Sequence, residues 1–215
     1  MKNARILSMA IITSAAMFFS SCGSSSTSQA DEQTTSNAQT QQDGPELDLL
    51  TVDAEASTVK WTGEMLGLYT HFGEIGIKEG VLKMEDGSIV EGTIIIDMTS
   101  INPMDEGYSD QEGRRAQDLV GHLSSPDFFD VANHPEAGFT IENVEGSTAN
   151  GKLKIRGTTG EEKVENVQIT KTETGYDITG EVTFNRKSYG AMFDMPVADK
   201  VLSDDIKIEV SLKAS

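Results

Sequence analysis

From Leu47 onward, apolar residues recur at every second position. Tyr176, Ile178, Gly180, Val182 and Phe184 fall on one face, with Asp177, Thr179, Glu181, Thr183 and Asn185 on the other. Ile206, Ile208, Val210 and Leu212 alternate in the same way with Lys207, Glu209, Ser211 and Lys213. Shorter examples are Val59/Trp61, Phe139/Ile141, Leu153/Ile155 and Val167/Ile169. Neighbouring side chains of a strand point to opposite faces, so this period predicts antiparallel strands with one dry and one wet side. Glu85-Asp86-Gly87-Ser88, Glu145-Gly146, Asn150-Gly151, Thr159-Gly160 and Thr174-Gly175 supply turn chemistry between them. Strands at this spacing predict a barrel or a sandwich. One stretch, near residues 108–130, changes period: Ala116, Leu119, Val120 and Leu123 have helical spacing, and Ser125-Pro126-Asp127 is suited to start a further turn. A helical insert in a β-rich chain predicts a lid over one end.

The N-terminus follows a different logic. Lys2 and Arg5 precede an uncharged, mostly apolar run from Ile6 to Phe19, and Ser20, Ser21 and Cys22 follow. The run falls short of the ~20 residues of a spanning helix and reads as an export signal. A Cys after small residues at that point resembles the bacterial lipobox, in which the thiol is acylated and becomes the new N-terminus. The next residues are almost entirely small and polar, with no apolar face to bury. The expected organisation is therefore a lipoprotein signal peptide over 1–21, a lipid-anchored disordered tether over 22–45 and one folded domain over 46–215. Two acyl chains at roughly 0.8 kcal/mol per buried CH₂ suffice for firm anchoring. The expected location is the bacterial cell envelope, periplasmic or associated with the outer membrane.

Composition narrows the partners. The 215 residues carry 35 acidic and 17 basic side chains, a net charge of −18. Such a chain lacks the clustered Lys and Arg that nucleic acid requires. Cys22 is the only cysteine, so neither an internal disulfide nor a Cys-rich metal site is available. His71, His122 and His134, with Asp127 or Asp130, are the conceivable metal donors, but no His pair has helical i, i+4 spacing, so no metal is expected. No G-x-S-x-G elbow marks a hydrolase.

Leu119-Val120-Gly121-His122-Leu123, residues 125–131 (SPDFFDV), His134-Pro135 and Phe139 together resemble the YceI-like family of polyisoprenoid-binding proteins. Flanking motifs keep the same order: Val52-Asp53, residues 57–63 (STVKWTG), 71–73, 96–101 (IDMTSI), 151–157 (GKLKIRG), Phe184-Asn185-Arg186 and 199–205 (DKVLSDD). The resemblance implies an all-β, lipocalin-like antiparallel barrel of about eight strands with its helical lid. Together with the lipobox-like start, it points to a non-enzymatic lipoprotein that binds, stores or transports a polyisoprenoid, quinone or related amphiphile. The bound lipid is the expected ligand and no cofactor is expected; a dimer is compatible with the sequence. Two rivals stay open: an enzyme or redox accessory acting on such a lipid through His, and a structural lipoprotein with a filled barrel.

Candidate ligand-binding positions are Trp61, Phe72, Phe139, Phe184, Met192 and Phe193 for the wall, and Phe128 and Phe129 for the lid. Each wall residue is equally suited to filling a core, because an eight-stranded barrel is about the width at which side chains fill it or leave room for one guest. His122 is expected at the mouth. Arg186 is expected to meet an anionic or carbonyl head group, or else a carboxylate of the protein.

Overall fold

The structure is a computed structural model that describes residues 47–194 and 201–215. The expected signal peptide, Cys22 and the tether lie outside the described residues. The described chain forms nine strands: β1 (Leu47–Thr51), β2 (Thr58–Met65), β3 (Tyr69–Glu85), β4 (Ser88–Pro103), β5 (Glu136–Glu145), β6 (Thr148–Ile155), β7 (Thr158–Lys171), β8 (Tyr176–Asn185) and β9 (Leu202–Ala214). A helix, α1 (Ala116–Ser124), lies between β4 and β5, and a single 3₁₀ turn, Arg186–Tyr189, follows β8.

The strands are antiparallel, and the sheet closes because β3 pairs with β2 on one edge and with β4 on the other. The result is the expected eight-stave barrel, with one stave shared. β2 pairs with the first part of β3, from Tyr69 to Ile75, whereas β1 pairs with its last part, from Val81 to Glu85. Below β2 the seam to β9 continues through the Val52–Ala214 bridge and reciprocal bonds between Thr51 and Ser215. Gly80 makes the crossing possible, since a Cβ there would sit 2.8 Å from the Val52 side chain.

Period-two alternation places the apolar set inside. Tyr176, Ile178, Val182 and Phe184 of β8 are buried, as are Ile206 and Leu212 of β9. At one end Leu82 and Met84 are fully buried with Leu50, Val52 and Ala214 around them. At the other, Met98, Ile101, Val131, Ile155, Phe184 and Tyr189 form a second cluster beneath the α1 insert.

Two expected turns are absent. Asn150-Gly151 lies inside β6 and Thr159-Gly160 inside β7, while the turn between those strands is Arg156-Gly157, with φ of 50° and 75°. Gly151 and Gly160 serve close approach instead. A Cβ on Gly151 would lie 2.1 Å from the Thr140 carbonyl oxygen, and one on Gly160 would lie 2.6 Å from the Tyr189 hydroxyl.

Candidate functional site

The barrel encloses a cavity of about 310 Å³ that runs from the α1 end down to Leu82 and Ile89. Its wall is built by the inward positions of the strands, such as Val59, Trp61, Gly63 and Met65 of β2. Among the described lining residues none is Lys, Arg, Asp or Glu. Polar side chains are confined to Trp61, Tyr69, His71, His122 and Thr179, and the Trp61 indole N–H is already donated to the Glu74 carbonyl at 3.2 Å.

Seven of the ten candidate binding residues line this cavity: Trp61, His122, Phe128, Phe129, Phe139, Phe184 and Phe193. Three do not. Phe72 lies one position past the inward His71, so alternation turns it outward and leaves it 47% exposed. Met192, just past the turn after β8, is 62% exposed. Arg186 is wholly buried but committed elsewhere. It donates to the carbonyls of Ser203 (3.0 Å), Ala191 (2.7 Å) and Phe193 (2.7 Å), meets Asp204 at 3.0 Å and carries the Phe128 ring 5.6 Å away. Four of its five N–H groups are taken by these acceptors and Asp194 lies 3.6 Å from Nη2, so the guanidinium holds the β8–β9 connection in place and is not presented to the cavity.

The lid is fastened from the barrel side as well. α1 begins with Asp118 accepting the Arg115 backbone N–H at 3.0 Å, a carboxylate in the first turn where the helix dipole favours it. After α1, amides of Phe128 and Asp130 donate to the Ser125 carbonyl, a tight turn that aims two adjacent rings at the cavity. Phe128 and Phe129 pack edge to face at 4.7 Å. Arg156, on the β6–β7 turn, donates to the carbonyls of Phe128, Pro126 and Gly190, so one side chain ties the lid turn to the β8–β9 connection.

The mouth holds the titratable groups. The His71 ring bonds through Nδ1 to Asp105 Oδ2 at 2.9 Å. Asp105 Oδ1 accepts the Tyr108 hydroxyl at 2.7 Å and the Phe72 N–H at 3.3 Å, and the Tyr108 ring stacks on His71. Burial alone would raise the Asp105 carboxyl, but bonds from Tyr108, His71 and Phe72 outweigh it and hold the group below the ordinary carboxylate value. Burial and then the bond to Asp105 push Tyr108 well above the usual tyrosine range. His122 packs its ring 4.3 Å from Phe193 and 5.6 Å from Phe128. Burial there lowers its pKa against the opposing pull of Asp127. Among the described residues no three His, Cys, Asp or Glu side chains converge as metal ligands.

The sequence reading weighed His71 only as a conceivable metal donor, and it missed Tyr69, Asp105 and Tyr108 as parts of this end. The inward parity of Trp61, carried across the β2–β3 turn, marks Tyr69 and His71. No local pattern marks Asp105, which reaches His71 across 34 residues of chain.

A family model, the YceI-like domain, matches residues 50–214. Among solved structures, the crystal structure of Burkholderia cenocepacia BcnA superposes with a TM-score of 0.56 at 16% identity, covering 76% of this chain and 99% of that one. A polyisoprenoid binding domain from Saccharophagus degradans implicated in plant cell wall breakdown gives 0.47 at 13% identity, with 77% and 97% covered. A Campylobacter jejuni YCEI protein gives 0.38 at 18%, with 59% and 75% covered. No curated protein sequence matches.

Proposed function

The chain belongs to the YceI-like family, and on that footing we propose that it carries or stores an apolar amphiphile, an isoprenoid or related lipid, without transforming it. The observation that carries this reading is the continuous cavity of about 310 Å³, walled almost wholly by hydrocarbon, with its His side chains at the α1 end. That volume lies at the low end of the ~300–1,000 Å³ usual for ligand pockets. A cavity of this size takes one small guest or the end of a prenyl tail. A longer tail is accommodated when the lid lifts, or leaves its remainder at the mouth. A barrel filled by its own side chains is the weaker alternative, because it has no use for this void.

Energetics favour exchange with a membrane. A ~40-carbon chain moved from water would gain roughly 30 kcal/mol at ~0.8 per CH₂, beyond the ~18–21 kcal/mol ceiling for non-covalent affinity. Bilayer is nearly as apolar as the cavity, so transfer between them is close to balanced and contacts at the mouth set its direction. We place the protein in the bacterial envelope, anchored through acylated Cys22, which shortens the aqueous step of that exchange.

Organic extraction of the purified protein followed by mass spectrometry is expected to release a prenyl or similar lipid. No co-purifying lipid, together with no uptake of prenyl probes, overturns the carrier reading. Cys22→Ser is expected to release the protein from the membrane fraction; unchanged fractionation overturns the anchor.

A further inference from the structure

The cavity is apolar along its length, so its polar end decides what kind of head group it accepts. His71 is the best-defined polar group there. Asp105, with its side chain only 8% exposed, takes the Nδ1 side of the ring at 2.9 Å. The Tyr108 hydroxyl (2.7 Å) and the Phe72 amide (3.3 Å) both donate to the other carboxylate oxygen, so three donors fix Asp105 as an acceptor. Tyr108 stacked on one side of His71 and Tyr69 edge-on at 5.0 Å fix the plane of the ring. An ionised carboxylate accepting Nδ1–H selects the tautomer whose Nε2 carries a lone pair. Among the described residues Nε2 has no hydrogen-bond partner, and His71 lines the cavity.

Among the described residues, three cations of this end are engaged by the protein's own groups. Arg186 is spent on three carbonyls and Asp204, Arg156 on three carbonyls, and Lys187 on Asp194 and Asp204. A phosphate or carboxylate head at His71 would sit beside the buried Asp105 carboxylate, a like charge that costs heavily in an apolar mouth.

We propose that the His71–Asp105–Tyr108 cluster is a head-group site for a neutral hydroxyl, as in a prenyl alcohol, phenol or hydroquinone, with His71 Nε2 accepting the hydroxyl proton in a hydrogen bond. The inference rests on the carrier reading and refines it: the tail supplies affinity, and the lone pair at the mouth selects the head. A site whose acceptor is left unpaired rejects an analogue that lacks the donor.

The test uses one tail and three heads: farnesol, farnesyl methyl ether and farnesyl phosphate. Trp61 is the only tryptophan and lines the cavity, so its fluorescence reports occupancy directly. Farnesol is expected to bind about ten-fold more tightly than the ether and more tightly still than the phosphate. His71→Phe is expected to equalise alcohol and ether. Asp105→Asn is the second variant; its amide donates to Nδ1, moves the ring proton to Nε2 and removes the same preference in a side chain of nearly unchanged shape. Equal binding of all three heads to the parent protein overturns the head-group site and leaves the carrier reading intact. Failure of all three to bind overturns both.

Discussion

At the closed end β3 turns into β4 through Asp86-Gly87 and β5 into β6 through Gly146-Ser147, connections of two residues. At the other end the chain runs through residues 104–135 between β4 and β5, and through residues 186–201 between β8 and β9. The first end is sealed by hydrocarbon, with Leu82 and Met84 showing no exposure. The second is held by polar stitching, with Arg156 and Arg186 anchoring backbone carbonyls that no strand partner satisfies. Short turns need no such help, because their backbone groups pair along the ladder; long excursions over an apolar cavity do. One barrel thus has a bottom made by packing and a top made by hydrogen bonds, and only the top can be rearranged without emptying the core.

The sharpest way to break that contrast is at Arg186. Arg186→Ala leaves one buried and two part-buried carbonyls without a donor and is expected to cost roughly 3–5 kcal/mol, with loss of farnesol binding, read by thermal denaturation and Trp61 fluorescence. A variant as stable as the parent would show that the top does not depend on its polar stitching. Leu82→Ala acts on the bottom: a stability loss of about 2–5 kcal/mol is expected, with ligand binding retained in a cavity now deeper by one side chain. Loss of binding in that variant would show that the two ends are not separable. Phe129→Ala is expected to lower stability less than Phe128→Ala, because Phe128 is buried against His122 and Arg186 while Phe129 is half-buried. Its ligand is nonetheless expected to dissociate several-fold faster, and an unchanged off-rate would remove Phe129 from the lid.

The smallest effect expected is that of pH. His122 is held in its neutral form, with a folded pKa below the ordinary ~6.5. The unfolded state therefore binds the proton more readily. The contribution to stability is complete above about pH 6.5 and is lost as pH falls toward the folded value. Melting temperatures measured from pH 7.5 to 5.5 should decline, and His122→Gln should flatten that part of the profile. An identical slope in the variant would assign the decline to another group.

What the sequence reveals follows from the range of each interaction. Alternation in β8 and β9, the Asp86-Gly87 turn and the helical spacing of Leu119 and Leu123 are local signals, and each matches the structure. Gly151 and Gly160 misled because glycine has two uses. A reader of the chain sees a turn former, while the fold uses the missing Cβ to bring a carbonyl and a tyrosine hydroxyl close. Phe72 and Met192 look like wall residues by composition; strand parity turns the first outward, and the second lies in a connection without a period. Of the two partners expected for Arg186, the carboxylate is the one found, in Asp204, while its three backbone carbonyl acceptors carry no residue signature. The Asp105–His71 pair is set by the register of the long β3–β4 hairpin, in which Gly73 faces Pro103, and no local pattern prints that register.

The shared stave has a consequence for how the molecule comes into being. Ser57 reaches the amide of Lys213 across 156 residues, and Thr51 exchanges bonds with Ser215 beside it. No intermediate length of chain can complete that seam, so strands made early must wait, with their pairing edges open, for β9 to arrive. Barrels dominated by such distant pairings fold in milliseconds to seconds rather than microseconds, and during that wait the nascent chain is where a chaperone would find it.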